Sequence, residues 1–192
     1  MQQVEPRPIR WTRERYYQML DMGFFLERRV ELIEGEIIEM SAQKNLHAMG
    51  VDLTADALRA AFGPNHWVRV QMTLDLSSTS APDPDVAVVP GSTRSYAGRS
   101  NPTTAMLIVE VSETSLAYDR GRKASLYASV GIGDYWILNL VQRQLEIYRD
   151  PAVDAAQMFG FKYAVRTILD PGDTVAPLAA PKALVAVADL LP

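Results

Sequence analysis

Hydrophobic positions along this chain recur at two different spacings, and the switches between them outline its elements. His47, Val51, Leu58 and Phe62 share one side at helical spacing. They predict a helix from about Lys44 to Phe62, closed by Gly63-Pro64-Asn65. Short apolar runs follow and predict strands over about 66–76, 85–89 and 105–111. A Ser/Thr/Pro-rich break at 77–84 and a long polar loop at 90–103 separate them. Lys123, Leu126, Tyr127 and Val130 return to the helical period, so a helix is expected over about 119–130 with Asp119 as its cap. Tyr135–Leu138 and Leu145–Tyr148 read as a hairpin, and 161–168 alternates as a half-exposed strand.

The ends are simpler. Residues 1–11 read as a loose arm, and Thr12 as the cap of a helix over about 13–22 ended by Gly23. Val30–Met40 reads as a hairpin turning at Glu34-Gly35, with Glu36, Ile38 and Met40 on one face. The tail after Pro171 is rich in Pro and Ala and ends on a short apolar segment. Helix, three strands, helix, strand predicts an α/β fold with a mixed central sheet and β-hairpins added at both ends. No repeat or composition break divides the chain, so 1–192 is read as a single domain. Its parts are a helical arm to about 25, a core over about 30–150 and a β extension over 150–192.

Composition narrows the classes. The chain is 48% hydrophobic and 22% charged, an ordinary globular balance. A net charge of −4 argues against broad non-specific nucleic-acid binding and leaves room for a local basic groove. No apolar run approaches the roughly 18 residues of a membrane span, and the N-terminus lacks the apolar stretch of a signal peptide. There is no cysteine, hence no disulfide or thiolate metal site. A cytoplasmic location is expected.

Two acids stand out against this background. Glu110 interrupts the apolar run Ala105–Val111, and Asp85 leads into Val86-Ala87-Val88-Val89. Burying even a neutral polar group unpaired costs on the order of 2–7 kcal/mol, and an ion more. Such groups survive beside a counter-charge, a proton or a metal. Lys123 sits on the apolar stripe of its helix, with Arg120 and Arg122 diverging to either side. The helix starts soon after Glu110, so Asp85, Glu110 and Lys123 are expected to converge at one end of the sheet. Two hard carboxylates suit Mg²⁺ or Mn²⁺, and a lysine beside them suits water orientation or charge stabilisation at phosphorus. Nothing in the trio forms a covalent intermediate.

Pro84-Asp85-Val86, Val109-Glu110-Val111-Ser112 and Asp119-Arg120-Gly121-Arg122-Lys123, in that order, resemble the PD-(D/E)xK phosphodiesterase superfamily. More narrowly they resemble its bacterial branch of restriction-endonuclease-like proteins of uncharacterised function. The resemblance extends to Glu31-Leu32-Ile33-Glu34-Gly35-Glu36, Met40-Ser41, His47 and the stretch from Leu126-Tyr127-Ala128 to Gly133-Asp134-Tyr135-Trp136. It implies a restriction-endonuclease-like core in which Asp85 and Glu110 hold a metal and Lys123 is the catalytic lysine. Glu36 and His47 match further recurrent polar positions, as accessory residues. Ser112 stands where the strict pattern has its lysine, so this chain fits the variant with the lysine displaced onto the following helix. The implied activity is metal-dependent hydrolysis of DNA phosphodiester bonds by a homodimer. A catalytically silent fold that binds DNA or a protein partner is the alternative, and a purely structural Glu110–Lys123 ion pair is a third.

Other residues keep two readings. His47 suits a helix edge as well as a site, Glu36 suits ordinary hairpin polarity, and Gln71 either faces the site or pairs in the sheet. Glu113 is expected to be solvated. Arg94, Arg99, Arg120 and Arg122 are candidate nucleic-acid contacts. Tyr135, Trp136 and Tyr148 either pack under the sheet or form an exposed dimer patch.

Overall fold

The structure, a computed structural model, describes residues 7–192. The arm expected over 1–11 falls partly on residues outside that range. Its described end is fastened: Trp11 N donates to Gly35 O at 2.9 Å, and Arg10 reaches Glu34 O at 3.0 Å. Helix α1 (Arg13–Asp21) follows, with the Thr12 hydroxyl accepting from Arg15 N as a cap. A hairpin of β1 (Val30–Ile33) and β2 (Glu36–Glu39) comes next. Glu34 and Gly35 both have positive φ (47° and 76°), the signature of a two-residue type I′ turn. This hairpin forms its own small sheet, tied to the rest by the bridge Leu32–Ala81.

Helix α2 (Asn45–Phe62) leads into the main sheet. Its six strands are β3 (His66–Val70), β4 (Val86–Pro90), β5 (Leu107–Ser112), β6 (Asp134–Asn139), β7 (Gln144–Val153) and β8 (Phe161–Leu169), in that spatial order. Only β5 and β6 run parallel. The crossover between them is one helical run: α3 (Leu116–Tyr118), a π-helical turn (Asp119–Lys123) and α4 (Ala124–Ser129). Helix, three-strand meander, helix and strand are therefore present as expected. The second hairpin is added onto the main sheet, with β7 pairing β6.

Strand alternation sends side chains to two cores. Val86, Val88, Leu107, Val109, Val111, Trp136 and Leu138 pack against α2 and the C-terminal Val187, Leu190 and Leu191. Ala87, Val89, Ile108, Tyr135 and Ile137 pack against Leu126, Tyr127 and Ala128. Glu110 and Ser112 have the parity of Ile108, so they point under the helical run. Tyr135, Trp136 and Tyr148 are buried, which removes them as an exposed patch.

Two local expectations are corrected. The strand expected over 66–76 stops at Val70, because Gln71 turns to φ 50° and breaks the ladder. The break at 77–84 falls where expected, with Ser80 and Ala81 fully buried within it. Asp119 does not cap a helix; the run begins before it, after Ser115, and its carboxylate is drawn inward onto serine hydroxyls. Among the described residues, no helix is long and apolar enough to cross a membrane.

Candidate active site

Antiparallel pairing of β4 with β5 sets Val86 beside Val109, which brings Asp85 alongside Glu110. Asp85 N donates to Glu110 Oε2 at 3.3 Å, and Val111 N donates to Asp85 Oδ2 at 2.9 Å. Asp85 Oδ1 is held from two further directions. Gln71 Nε2 donates to it at 3.1 Å, from the residue whose left-handed backbone ends β3. His47 Nε2 lies 3.1 Å away, from the first turn of α2. Gln71 thus faces the site, and His47 lines it.

Lys123 comes from above. Asp119 and Lys123, four residues apart at the two ends of the π-helical turn, share the inward face of the run and are buried, while Arg120 and Arg122 point away from it. Lys123 is 1% exposed; its Nζ lies 2.6 Å from Glu31 Oε2 and 3.2 Å from Glu110 Oε1. Tyr127, one turn on, donates its hydroxyl to Glu110 Oε1 at 2.6 Å. The three residues singled out as catalytic therefore come together at one place.

The accessory residues divide. Glu36 lies outside this cluster, half-exposed, pairing at 2.6 Å with both Arg10 and Arg122. Glu31, five positions earlier in the same hairpin, takes the inner place. It carries the same signal as Glu110, an acid within an apolar strand (Val30-Glu31-Leu32-Ile33), and that criterion alone would have found it.

A cleft of about 270 Å³ opens onto these groups, lined among others by Glu31, Asp83, Asp85, Glu110, Asp119 and His47. None of Arg94, Arg99, Arg120 and Arg122 lines it. Arg120 is bound to buried Glu146, and Arg122 to Glu36. Arg94 lies on a separate groove with Arg59, His66 and Trp67. The basic groups at the cleft are Arg29 and Lys44, the latter 3.4 Å from the half-buried Glu113. Neither stands out in the sequence.

The electrostatics are lopsided: seven carboxylates (Glu31, Glu39, Asp83, Asp85, Glu110, Glu113 and Asp119) line the cleft against Arg29, Lys44 and His47, with Lys123 buried behind Glu31 and Glu110. Burial, aggravated by Asp85, Asp119 and Glu31, pushes the Glu110 carboxyl up to about 8 despite Lys123. Burial likewise raises Glu31 against the pull of Lys123, and raises Asp83 and Asp119. For Asp85, burial is outweighed by hydrogen bonds from His47, Val111 and Gln71, and its pKa falls. Burial would depress Lys123, yet Glu110 and Glu31 hold it well above its usual value. His47 is raised because Asp85 outweighs its burial.

Among the described residues, no group of three His, Cys, Asp or Glu side chains is arranged to hold a metal ion. Two carboxylates suffice for an ion that keeps several waters, as Mg²⁺ does. The surplus negative charge and the sealed Asp83 Oδ1, which has no hydrogen-bond partner, fit a cation at this place. Asp85 and Glu110, side by side on the cleft, could hold such an ion.

Comparison with known proteins bears on the family and the fold. The Uma2 family, described as "Putative restriction endonuclease", matches residues 13–188. No curated protein matches the chain. A crystal structure described as a putative nuclease belonging to DUF820, from Anabaena variabilis ATCC 29413, superposes with a TM-score of 0.67 at 14% identity. The match covers 95% of this chain and 97% of that one, and it shows a shared fold. A profile match over nearly the whole length makes this protein a member of the Uma2 family, described as putative restriction endonucleases.

Proposed function

We propose that this chain is a metal-dependent endonuclease that hydrolyses DNA phosphodiester bonds, with Asp85, Glu110 and Lys123 at its centre. The observation that carries the reading is the meeting of Lys123 with Glu110 at 3.2 Å, where Glu110 and its neighbour Asp85 line an open cleft and Lys123 is buried behind them. Mg²⁺ or Mn²⁺ held by Asp85 and Glu110 would supply Lewis acidity toward a phosphoryl oxygen and a more acidic bound water. The chain's own groups do the rest. Val111 N–H, Gln71 and His47 hold the Asp85 carboxylate in one orientation. Tyr127 holds Glu110. The Lys123 ammonium offsets negative charge building on phosphorus, in a recess where such interactions are stronger than in water. Arg29 and Lys44 attract the phosphate backbone toward the cleft. A homodimer belongs to this proposal, and its contact must use surface other than the buried Tyr135, Trp136 and Tyr148.

One observation favours a second reading, a catalytically silent fold that binds DNA or a protein. Lys123 already neutralises two acids, and no three-ligand group is formed. Incubating plasmid and linear DNA with the protein in Mg²⁺ or Mn²⁺ separates the two. Cleavage by wild type, abolished in Asp85→Asn and in Lys123→Met, supports the nuclease. DNA bound without cleavage and without metal dependence supports the silent fold.

A further inference from the structure

Asp119 is the site-facing carboxylate to which the mechanism above gives no part. It is 3% exposed and lines the cleft with Glu31, Asp85 and Glu110. No lysine or arginine among the described residues forms an ion pair with it, unlike Glu31 and Glu110. Its two oxygens are treated very differently. Oδ2 accepts from Ser112 Oγ and from Ser115 Oγ, both at 2.6 Å, one from the end of β5 and one from the turn before the helical run. Oδ1 accepts from no donor among the described residues, yet it is not one of the sealed, unpartnered polar atoms. It therefore meets the open space of the cleft. Two hydroxyls converging on one oxygen fix the plane of the carboxylate, and so fix where the other oxygen points.

A purely structural clamp between β5 and the helix needs only Oδ2. Asp119 does more than that, because it lies four residues before Lys123 and so on the same side of the run. A buried acceptor without a cation, on the cleft that Asp85 and Glu110 also line, suits a small hydrogen-bond donor. Resting on the nuclease reading above, we propose that Asp119 Oδ1 accepts a hydrogen bond from the water that attacks phosphorus and holds that water in place, with Ser112 and Ser115 as the residues that aim it. No bond to Asp119 is made or broken in this role.

Asp119→Asn is the discriminating variant. Its amide oxygen can take both serine hydroxyls, so the clamp survives, while an NH₂ donor replaces the acceptor facing the cleft. Expected are an unchanged melting temperature and a loss of about 100-fold or more in the rate of DNA cleavage at saturating Mn²⁺, the scale on which misplacing a reactant acts. Ser112→Ala with Ser115→Ala should keep the acceptor, lose its aim and fall between the two. A high-resolution crystal structure gives a readout independent of activity: a water within hydrogen-bond distance of Asp119 Oδ1 in wild type, absent or displaced in the Asn variant. Three results overturn the proposal: wild-type cleavage by Asp119→Asn, a defect that disappears when Mn²⁺ is raised (a metal ligand instead), or no water at Oδ1 in the wild-type crystal. Wild-type protein that cuts no DNA overturns the nuclease reading and this one with it; active wild type with an equally active Asn variant overturns this one alone.

Discussion

Glu110 and Glu146 stand in one row of the sheet, two strands apart. Glu110 is paired in register with Ile137, and Ile137 with Glu146, so both glutamates point to the same face under the same helical run. Both are buried. Their proton affinities nevertheless move in opposite directions. Burial would raise Glu146 too, but Arg120, Tyr148, Asn139 and Arg166 bring it down to about 2. Every lone-pair direction there is answered: Arg120 grips both oxygens, Asn139 Nδ2 reaches Oε1 at 3.2 Å, and Tyr148 and Arg166 reach Oε2 at 2.7 and 2.8 Å. Glu110 shares one lysine with Glu31, sits among other acids, and rises to about 8. A buried carboxylate is therefore no mark of function in itself. What distinguishes the candidate site is a deficit of positive charge, left open to a cleft.

The contrast can be broken most forcefully at Lys123. Lys123→Met leaves Glu31 and Glu110 buried without a counter-charge and should cost about 3–5 kcal/mol, read as a fall in the denaturant midpoint. Persistence of wild-type stability would mean that the two acids are not in fact dependent on it. Next in size is Glu146→Gln. It removes the charge that Arg120 and Arg166 face, but both arginines reach solvent, so the expected loss is roughly 2–3 kcal/mol. This loss has a defined pH dependence. A carboxyl depressed from 4.5 to about 2 stabilises the fold fully above pH 4.5 and loses that contribution as pH falls toward 2. Melting curves of wild type and Glu146→Gln should accordingly converge on acidification and separate again near neutrality.

The same substitution at Glu110 should behave otherwise. With its carboxyl at about 8, Glu110 already carries a proton for much of the time at neutral pH, so Glu110→Gln should shift stability by less than about 1 kcal/mol. A loss as large as that of Glu146→Gln would show the two sites to be alike. The pair also separates on metal addition. Mn²⁺ at about 100 times its Kd should stabilise wild type by about 2.7 kcal/mol. Glu146→Gln should keep that rise in melting temperature and Glu110→Gln should lose it.

Much of this was legible in the chain. The apolar runs around residues 86–89 and 107–111 announced central strands, and Glu110 was conspicuous within one of them. Lys123 was visible on a helical stripe. Glu31 and Glu36 lie on equally short strands of one hairpin, and only the tertiary contact with Lys123 separates the buried acid from the exposed one. Gln71 was ambiguous because a left-handed backbone at a glutamine has no sequence signature. Arg120 looked like a phosphate contact because its partner, Glu146, lies two strands away.

Residue order by itself determined which segments are apolar enough to become strands and helices, and hence which charges are out of place there. Only the folded sheet decided which buried acid is satisfied. That outcome depends on long-range pairings, Lys123 with Glu31 and Arg120 with Glu146, and on the direction each side chain takes from a π-helical turn or a strand register. Local periodicity gives the face on which a charge lies, but the balance of charge around it is set by segments that meet only in three dimensions.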